Sequence, residues 1–286
     1  MVVEGAELLS VALDTGAPVE SVYVAPEGRD NPVVAGVVAR AFQAGARVFD
    51  LGAGVLERVA DTVTPQPVLA VVGFEPPALS AVREADLVVV CADVRDPGNA
   101  GTLIRTADAA GAGGVVCCDG TVDPYNPKTV RASAGSVFHL PIVAGGEAVA
   151  VIGALGGWGL RALGTVVRDG VDYADVDLTD RVALVFGNEA SGLAPDVLAA
   201  LDVPVTIPMA GRAESLNVSV SAAVLCFEVL RQRRKGGSSG GRGRKGNDGS
   251  SGEQGAGRTD PGAAGSTMPG METRRVGETT DGGDSS

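Results

Sequence analysis

Ile207-Pro208-Met209-Ala210-Gly211-Arg212-Ala213-Glu214-Ser215-Leu216-Asn217-Val218-Ser219, running on into Val220 to Arg231, decides how the chain is read. An apolar strand breaks at Pro208 and Gly211, a polar loop follows, and a helix takes over. Ser215 is a candidate N-cap, because its hydroxyl can accept from backbone N–H groups one turn ahead. Val218, Ala222, Leu225, Val229 and Leu230 recur at helical spacing, and Arg231, Arg233 and Arg234 suit the negative end of that helix. A strand, a polar loop and a capped helix start bring amide donors and small side chains to one point, which suits a ligand. Taken alone, an ordinary strand–loop–helix joint accounts for the stretch equally well.

Composition narrows the choices around it. At 286 residues the chain can hold two domains of about 100–200 residues each. Hydrophobic residues make up 45% but aromatics only 3%, so the cores must be built from Val, Ala and Leu. A formal net charge of -12 and a pI near 4.6 argue against wholesale coating of nucleic acid, yet allow a local basic site. Cys91, Cys117, Cys118 and Cys226 contain no C-x-x-C pair, and three of them sit in apolar runs, as reduced core thiols do. Met1 leads straight into Val2-Val3-Glu4-Gly5 with no basic run, and no apolar stretch is long enough to span a bilayer. A soluble cytoplasmic protein is expected.

Short helices and strands alternate from the start. Helices are predicted over Glu7–Leu13, Val33–Ala44 and Val55–Ala60, and strands over Val22–Ala25, Arg47–Leu51 and Val68–Val72. This makes residues 1–73 a small α/β domain, and the turn-rich residues 74–86 a linker. Residues 87–235 read as a second α/β domain. Its strands are Leu87–Cys91, Gly114–Cys118, Phe138–Ile142, Arg161–Val166, Val182–Phe186 and Val203–Ile207. Helices are expected at Ala100–Ala110, from Lys128, at Ala148–Leu155 and Ala194–Leu201, and finally at Val218–Gln232. Residues 236–286 have almost no large apolar side chain to offset their ordering entropy, and read as a disordered Gly/Ser-rich tail.

Several motifs can be set aside. Gly52-Ala53-Gly54 lacks the third glycine of a dinucleotide fingerprint, and Gly187 to Gly192 is followed by Leu193-Ala194 instead of the Lys-Ser/Thr of a phosphate loop. The only histidine, His139, cannot gather a metal cluster alone and reads as a structural residue at a strand start, with a role in a site as the lesser alternative; no metal is expected. Three segments remain, each after a buried strand, where open α/β sheets collect their ligands. The first runs from Asp93 to Ala107, with Asn99 as a helix cap and Arg105 in an otherwise apolar helix, where a guanidinium needs a polar or anionic partner. The second is Leu184 to Leu193, with Glu189 on a tight glycine turn. The third is the stretch quoted above.

Together these segments resemble the SpoU/TrmH branch of the SPOUT RNA methyltransferases. The resemblance covers Asn99 with Arg105, then Gly187-Asn188-Glu189, then Ile207-Pro208-Met209 with Ser215-Leu216-Asn217-Val218-Ser219, in that order. It extends to Asn126-Pro127-Lys128, Arg131 to Gly135 and Phe138-His139-Leu140-Pro141. Residues 1–72, including Thr64-Pro65-Gln66, are similar to the small substrate-binding domain that often precedes the catalytic one. At its start the chain departs from that pattern, because a further helix usually precedes the segment that Met1 here abuts.

The resemblance implies a C-terminal α/β fold tied in a trefoil knot, a homodimer, and S-adenosyl-L-methionine as cofactor. It assigns Gly187, Ile207, Met209 and Leu216 to the cofactor, and Asn99, Arg105, Glu189, Ser215 and Asn217 to catalysis of ribose 2'-O-methylation. Within that set Arg105 suits an electrostatic stabiliser and phosphate positioner better than a base, since a guanidinium does not deprotonate. Glu189 would orient Arg105 or nearby amides, or else cap the helix turn that follows it. Lys128 and Arg131 are the candidate RNA phosphate contacts, or simply solvated charges. Ribosomal RNA is favoured as substrate over transfer RNA. The competing expectations are a non-catalytic RNA-binding or ribosome-assembly factor that keeps the knot, and a tRNA methyltransferase.

Overall fold

The computed structural model describes residues 1–59, 65–238 and 274–276. The first part of the chain runs β1 (Val2–Glu4), α1 (Ala6–Asp14), β2 (Val19–Val24), α2 (Pro26–Arg29), α3 (Pro32–Gln43), β3 (Arg47–Leu51), α4 (Leu56–Val59) and β4 (Val68–Val72). Its strands lie in the order β1-β4-β2-β3, with β4 antiparallel to both neighbours and β2 parallel to β3. Sequence reading misses two short elements here, β1 of three residues and α2 of four, the latter read as the Pro26 and Gly28 turn that closes β2. Ala60 and Thr64, which were expected in a helix and in the substrate-domain resemblance, lie outside the described residues.

After a 3-10 turn at Leu79–Val82 come β5 (Leu87–Cys91), α5 (Pro97–Ala109), β6 (Gly114–Cys117) and α6 (Pro127–Ala132). A second 3-10 turn at Ser136–Phe138 leads to β7 (Ile142–Ala144), α7 (Ala148–Gly157), β8 (Arg161–Thr165) and β9 (Val171–Asp172). The fold ends with β10 (Val182–Phe186), α8 (Pro195–Ala199), β11 (Val203–Thr206) and α9 (Val218–Ser238). Seven strands form one parallel sheet in the order β7-β6-β5-β10-β8-β11-β9.

The near-continuous apolar runs of β5, β6 and β10 are what a sheet covered on both faces requires. Leu87, Val89 and Cys91 point to one face with Val182, Leu184 and Phe186, against Leu103 and Ile104 of α5 and Leu225 of α9. Val88, Val90, Ala183 and Val185 point to the other, against Ile152 and Leu155 of α7 and Val197 of α8. Each buried Leu or Phe contributes about 1.5–3 kcal/mol, so this three-layer core carries the fold with few aromatics. All four cysteines are buried free thiols, and burial pushes those of Cys118 and Cys226 up to about 12.

Three expectations need correcting. The strand expected at Phe138–Ile142 begins only at Ile142, because Ala134 and Gly135 take left-handed conformations (φ 50° and 95°) and turn the chain through a 3-10 element first. Helix α9 continues past Gln232 through Gly236 to Ser238, since an established helix gains a hydrogen bond for each residue added. Arg274–Val276, inside the segment expected to be disordered, forms strand β12 parallel to β3. The other residues of that tail lie outside the described residues.

Candidate active site

The site forms where the carboxyl ends of β5, β8, β10 and β11 meet the first turns of α5 and α9. The loop after β10 is a hairpin closed by two bonds, from Asn188 N to Gly192 O (3.0 Å) and from Gly192 N to Asn188 O (2.9 Å). Inside it, Asn188 Oδ1 accepts from the amides of Ala190 (3.0 Å) and Ser191 (3.1 Å), while its Nδ2 donates to Asp93 O (3.1 Å). The loop folds so closely that a Cβ on Gly187 would sit 2.5 Å from the carbonyl of Gly192, so only glycine fits there.

This hairpin aims Glu189 at the start of α5. Glu189 Oε1 accepts from Asp96 N (3.1 Å) and Asn99 Nδ2 (3.0 Å), and Oε2 accepts from Arg95 N (3.3 Å). Burial alone would push this carboxyl up; the bonds from Asn99 and from backbone amides outweigh it and hold it below its ordinary 4.5. An ionised carboxylate only accepts, so Asn99 must turn its NH2 toward Glu189 and its Oδ1 the other way. There Oδ1 accepts from Asn217 Nδ2 (3.0 Å), which leaves Asn217 Oδ1 facing α9, where it accepts from Ser219 N (2.8 Å) and Ser219 Oγ (2.6 Å). The polarity of the whole relay, from Glu189 through Asn99 and Asn217 to α9, is fixed by the charge at one end.

Two helix caps differ from expectation. Asp96, not Asn99, caps α5: its Oδ1 accepts from Asn99 N (2.7 Å), and Pro97 takes the first helical position, where no N–H is needed. Asn217, not Ser215, starts α9, with its side chain on Ser219 and its carbonyl accepting from Ser221 N (2.9 Å). Asp, Asn and Ser are near equal as caps, so the helix register decides among them.

A cavity of about 460 Å³ opens beside this relay. Gly187, Ile207, Met209 and Leu216 all line it, together with Asn99, Glu189, Ser215 and Asn217. Thr165, Val166 and Val167 close a further side, and sequence reading missed them. The signal was their place at the carboxyl end of a parallel strand, but one threonine and two valines do not announce a site. Among the described residues, the backbones of Ile207, Met209 and Leu216 make no hydrogen bond. Their N–H and C=O groups are left for a ligand. A planar heterocycle with a donor–acceptor edge, carrying a polar chain, fits this lining.

Arg105 stands apart from the cavity. It lies with Thr102 on the exposed face of α5, and its side chain makes no ion pair or hydrogen bond among the described residues, so the partner it was expected to need is not supplied there. Glu189 therefore orients the amides of Arg95 and Asp96, not Arg105. Lys128 is exposed on the first turn of α6. Arg131 Nη1 donates to Glu4 Oε2 (2.8 Å) and ties α6 to β1. Among the described residues no group of His, Cys, Asp and Glu gathers to hold a metal ion, and no helix is long and apolar enough to cross a membrane.

The chain belongs to the SpoU rRNA methylase family, whose model matches residues 86–227; residues 1–70 match the MRM3-like substrate binding domain. It is 34% identical over 227 residues to the 23S rRNA (guanosine(2553)-2'-O)-methyltransferase RlmP of Bacillus subtilis, covering 79% of this chain and 87% of that protein. Among solved structures it is similar to the AdoMet-bound rRNA methyltransferase of Sinorhizobium meliloti (TM-score 0.70, 33% identity, covering 80% of this chain and 86% of the other). The SpoU methyltransferase AviRb of Streptomyces viridochromogenes in complex with AdoMet is similar too (TM-score 0.71, 31% identity, 82% and 91% covered).

Proposed function

We propose that this protein transfers a methyl group from S-adenosylmethionine to a ribose 2'-hydroxyl of ribosomal RNA. The observation that carries the reading is the relay Glu189–Asn99–Asn217 at the mouth of a backbone-lined cavity, in a chain that resembles 23S rRNA 2'-O-methyltransferases along most of its length. Gly187, Ile207, Met209 and Leu216 would hold the cofactor, chiefly by backbone groups. Bound there, S-adenosylmethionine supplies an electrophilic methyl group.

The chain's own residues do the rest. Arg105, exposed outside the cavity and without a protein partner, meets the bound RNA backbone beside the reacting ribose and stabilises the negative charge on the 2'-oxygen as that oxygen bonds the methyl carbon and its proton passes to solvent. A guanidinium is suited to that charge and unsuited to accept the proton. Glu189 acts as a positioning residue by holding the Arg95–Asn99 turn, and Asn99 passes that order to Asn217 and the loop that carries Ser215. Lys128, exposed on α6, is placed to meet a phosphate, and residues 1–73 form an RNA-capturing module.

Three further features belong to this reading. The segment from residue 187 to 217 is threaded as the trefoil knot of the family; the juxtaposition of the 187–193 and 207–217 loops supports this. The protein acts as a homodimer in the cytoplasm, where ribosomal RNA is made. Val220 and Phe227, seven positions apart on α9 and each 47% exposed, give that helix an apolar face for a second copy.

The test is transfer of labelled methyl from S-adenosylmethionine into RNA and ribosomal particles from a strain lacking this gene. Label in ribosomal RNA, lost with Arg105→Ala, supports the reading. No label from naked RNA or particles, with cofactor binding intact, would leave a binding factor in its place.

A further inference from the structure

We infer that His139 is a positioning residue whose task is to hold Asp108 away from Arg105, so that the guanidinium stays free for RNA. The inference rests on the role assigned to Arg105 above.

Asp108 follows Arg105 by three positions on α5, a spacing at which two helical side chains are neighbours. A carboxylate there is the natural partner for the guanidinium, yet Arg105 makes no ion pair among the described residues. Asp108 is instead engaged by His139, whose Nδ1 lies 2.7 Å from Oδ2. Since the carboxylate accepts, Nδ1 carries the proton.

The fold goes to some length to bring His139 there. Gly101 lets α6 approach α5 so closely that a Cβ on it would lie 2.4 Å from Ala132 Cβ. The chain then reverses through the left-handed Ala134 and Gly135, and the 3-10 turn Ser136–Phe138 ends on His139 beside α5. The side chains of Asp108 and His139 are 26% and 42% exposed, so the pair is not part of the core, and a packing role does not explain it.

Three variants test this in the full-length protein: His139→Ala, His139→Asn and the double variant Asp108→Asn/His139→Ala. The first readout is the Arg105 Nε–H resonance, assigned by its loss in Arg105→Ala, and it needs no activity. His139→Ala should shift it toward an ion-paired value. His139→Asn, whose Nδ2 replaces the histidine Nδ1, and the double variant should leave it as in wild type. The second readout is methyl transfer: His139→Ala should lower kcat/KM for RNA roughly threefold, the scale of an exposed helical ion pair with some added burial. Cofactor affinity should not change, and the double variant should recover.

An unshifted resonance in His139→Ala, or a double variant as impaired as the single one, overturns the inference. If the resonance shifts and recovers as described while Arg105→Ala retains full activity, the competition for Asp108 stands and the role given to Arg105 fails.

Discussion

Asn99 Oδ1 and Asn217 Nδ2 are joined by a 3.0 Å hydrogen bond across 118 positions of sequence, so the first turn of α5 is tied to the start of α9. The bond has a direction set elsewhere. Glu189 claims the NH2 of Asn99, Asn99 then offers only an acceptor to Asn217, and Asn217 offers only an acceptor to α9. Three loops that meet at one cavity are thereby held in a single arrangement.

Asn217→Ala removes both the cap and the tie. It should lower stability by about 1 kcal/mol, the usual value of an N-cap. Asn217→Asp separates the two roles, because Asp still accepts from Ser219 but cannot donate to Asn99. Thermal unfolding should show Asp near wild type and Ala destabilised, while cofactor titration should show weaker binding in both.

Glu189→Gln should impair transfer, since an amide accepts more weakly than a carboxylate from three N–H groups. The pH dependence follows from the lowered pKa. A carboxylate whose folded pKa lies below its unfolded value stabilises fully above the unfolded value and loses that contribution as pH falls through the folded one. The unfolding temperature of wild type should therefore exceed that of Glu189→Gln by a constant amount down to the ordinary 4.5, and the gap should close below it. A gap unchanged at lower pH would mean that the charge contributes nothing.

Gly187→Ala should cut cofactor affinity sharply, because the added Cβ meets the Gly192 backbone at 2.5 Å and the hairpin must open. Overpacking of this kind costs about 1–3 kcal/mol. Calorimetric titration with S-adenosylmethionine, set beside the unfolding temperature, separates lost binding from lost fold.

Arg131→Ala should act on stability and not on RNA affinity. Arg131 joins α6 to β1 through Glu4, whose side chain is only 8% exposed. The loss should be about 1–2 kcal/mol after screening at the half-exposed arginine. An unfolding temperature equal to wild type, with weakened RNA binding, would return Arg131 to the phosphate-contact role expected from sequence.

Much of this was legible in the sequence because its signals are local. Apolar runs such as Leu87–Cys91 and Val182–Phe186 announce covered strands, and both have the bounds expected. The order of Asn99, Glu189 and Asn217 along the chain pointed to one site, and the fold brings them to one place. The caps were misread because Asp96, Asn99, Ser215 and Asn217 are all competent caps. The helix register decides which of them caps, and the three-dimensional path of the Gly187–Leu193 hairpin, which delivers Glu189 to Asn99, decides which of them relay. The tie from Arg131 to Glu4 was not legible for a similar reason: the two lie 127 positions apart.

The central claim is that the methyl group goes to a ribose oxygen. It is tested most directly by incubating the protein with S-adenosylmethionine carrying a deuterated methyl group and ribosomal RNA from a strain lacking the gene, then digesting the RNA to nucleosides for mass spectrometry. Label is expected on the ribose of one nucleoside, with the adjoining 3' linkage resistant to alkali and the signal absent in Arg105→Ala. Label on a base, or an Arg105→Ala protein as productive as wild type, would contradict it.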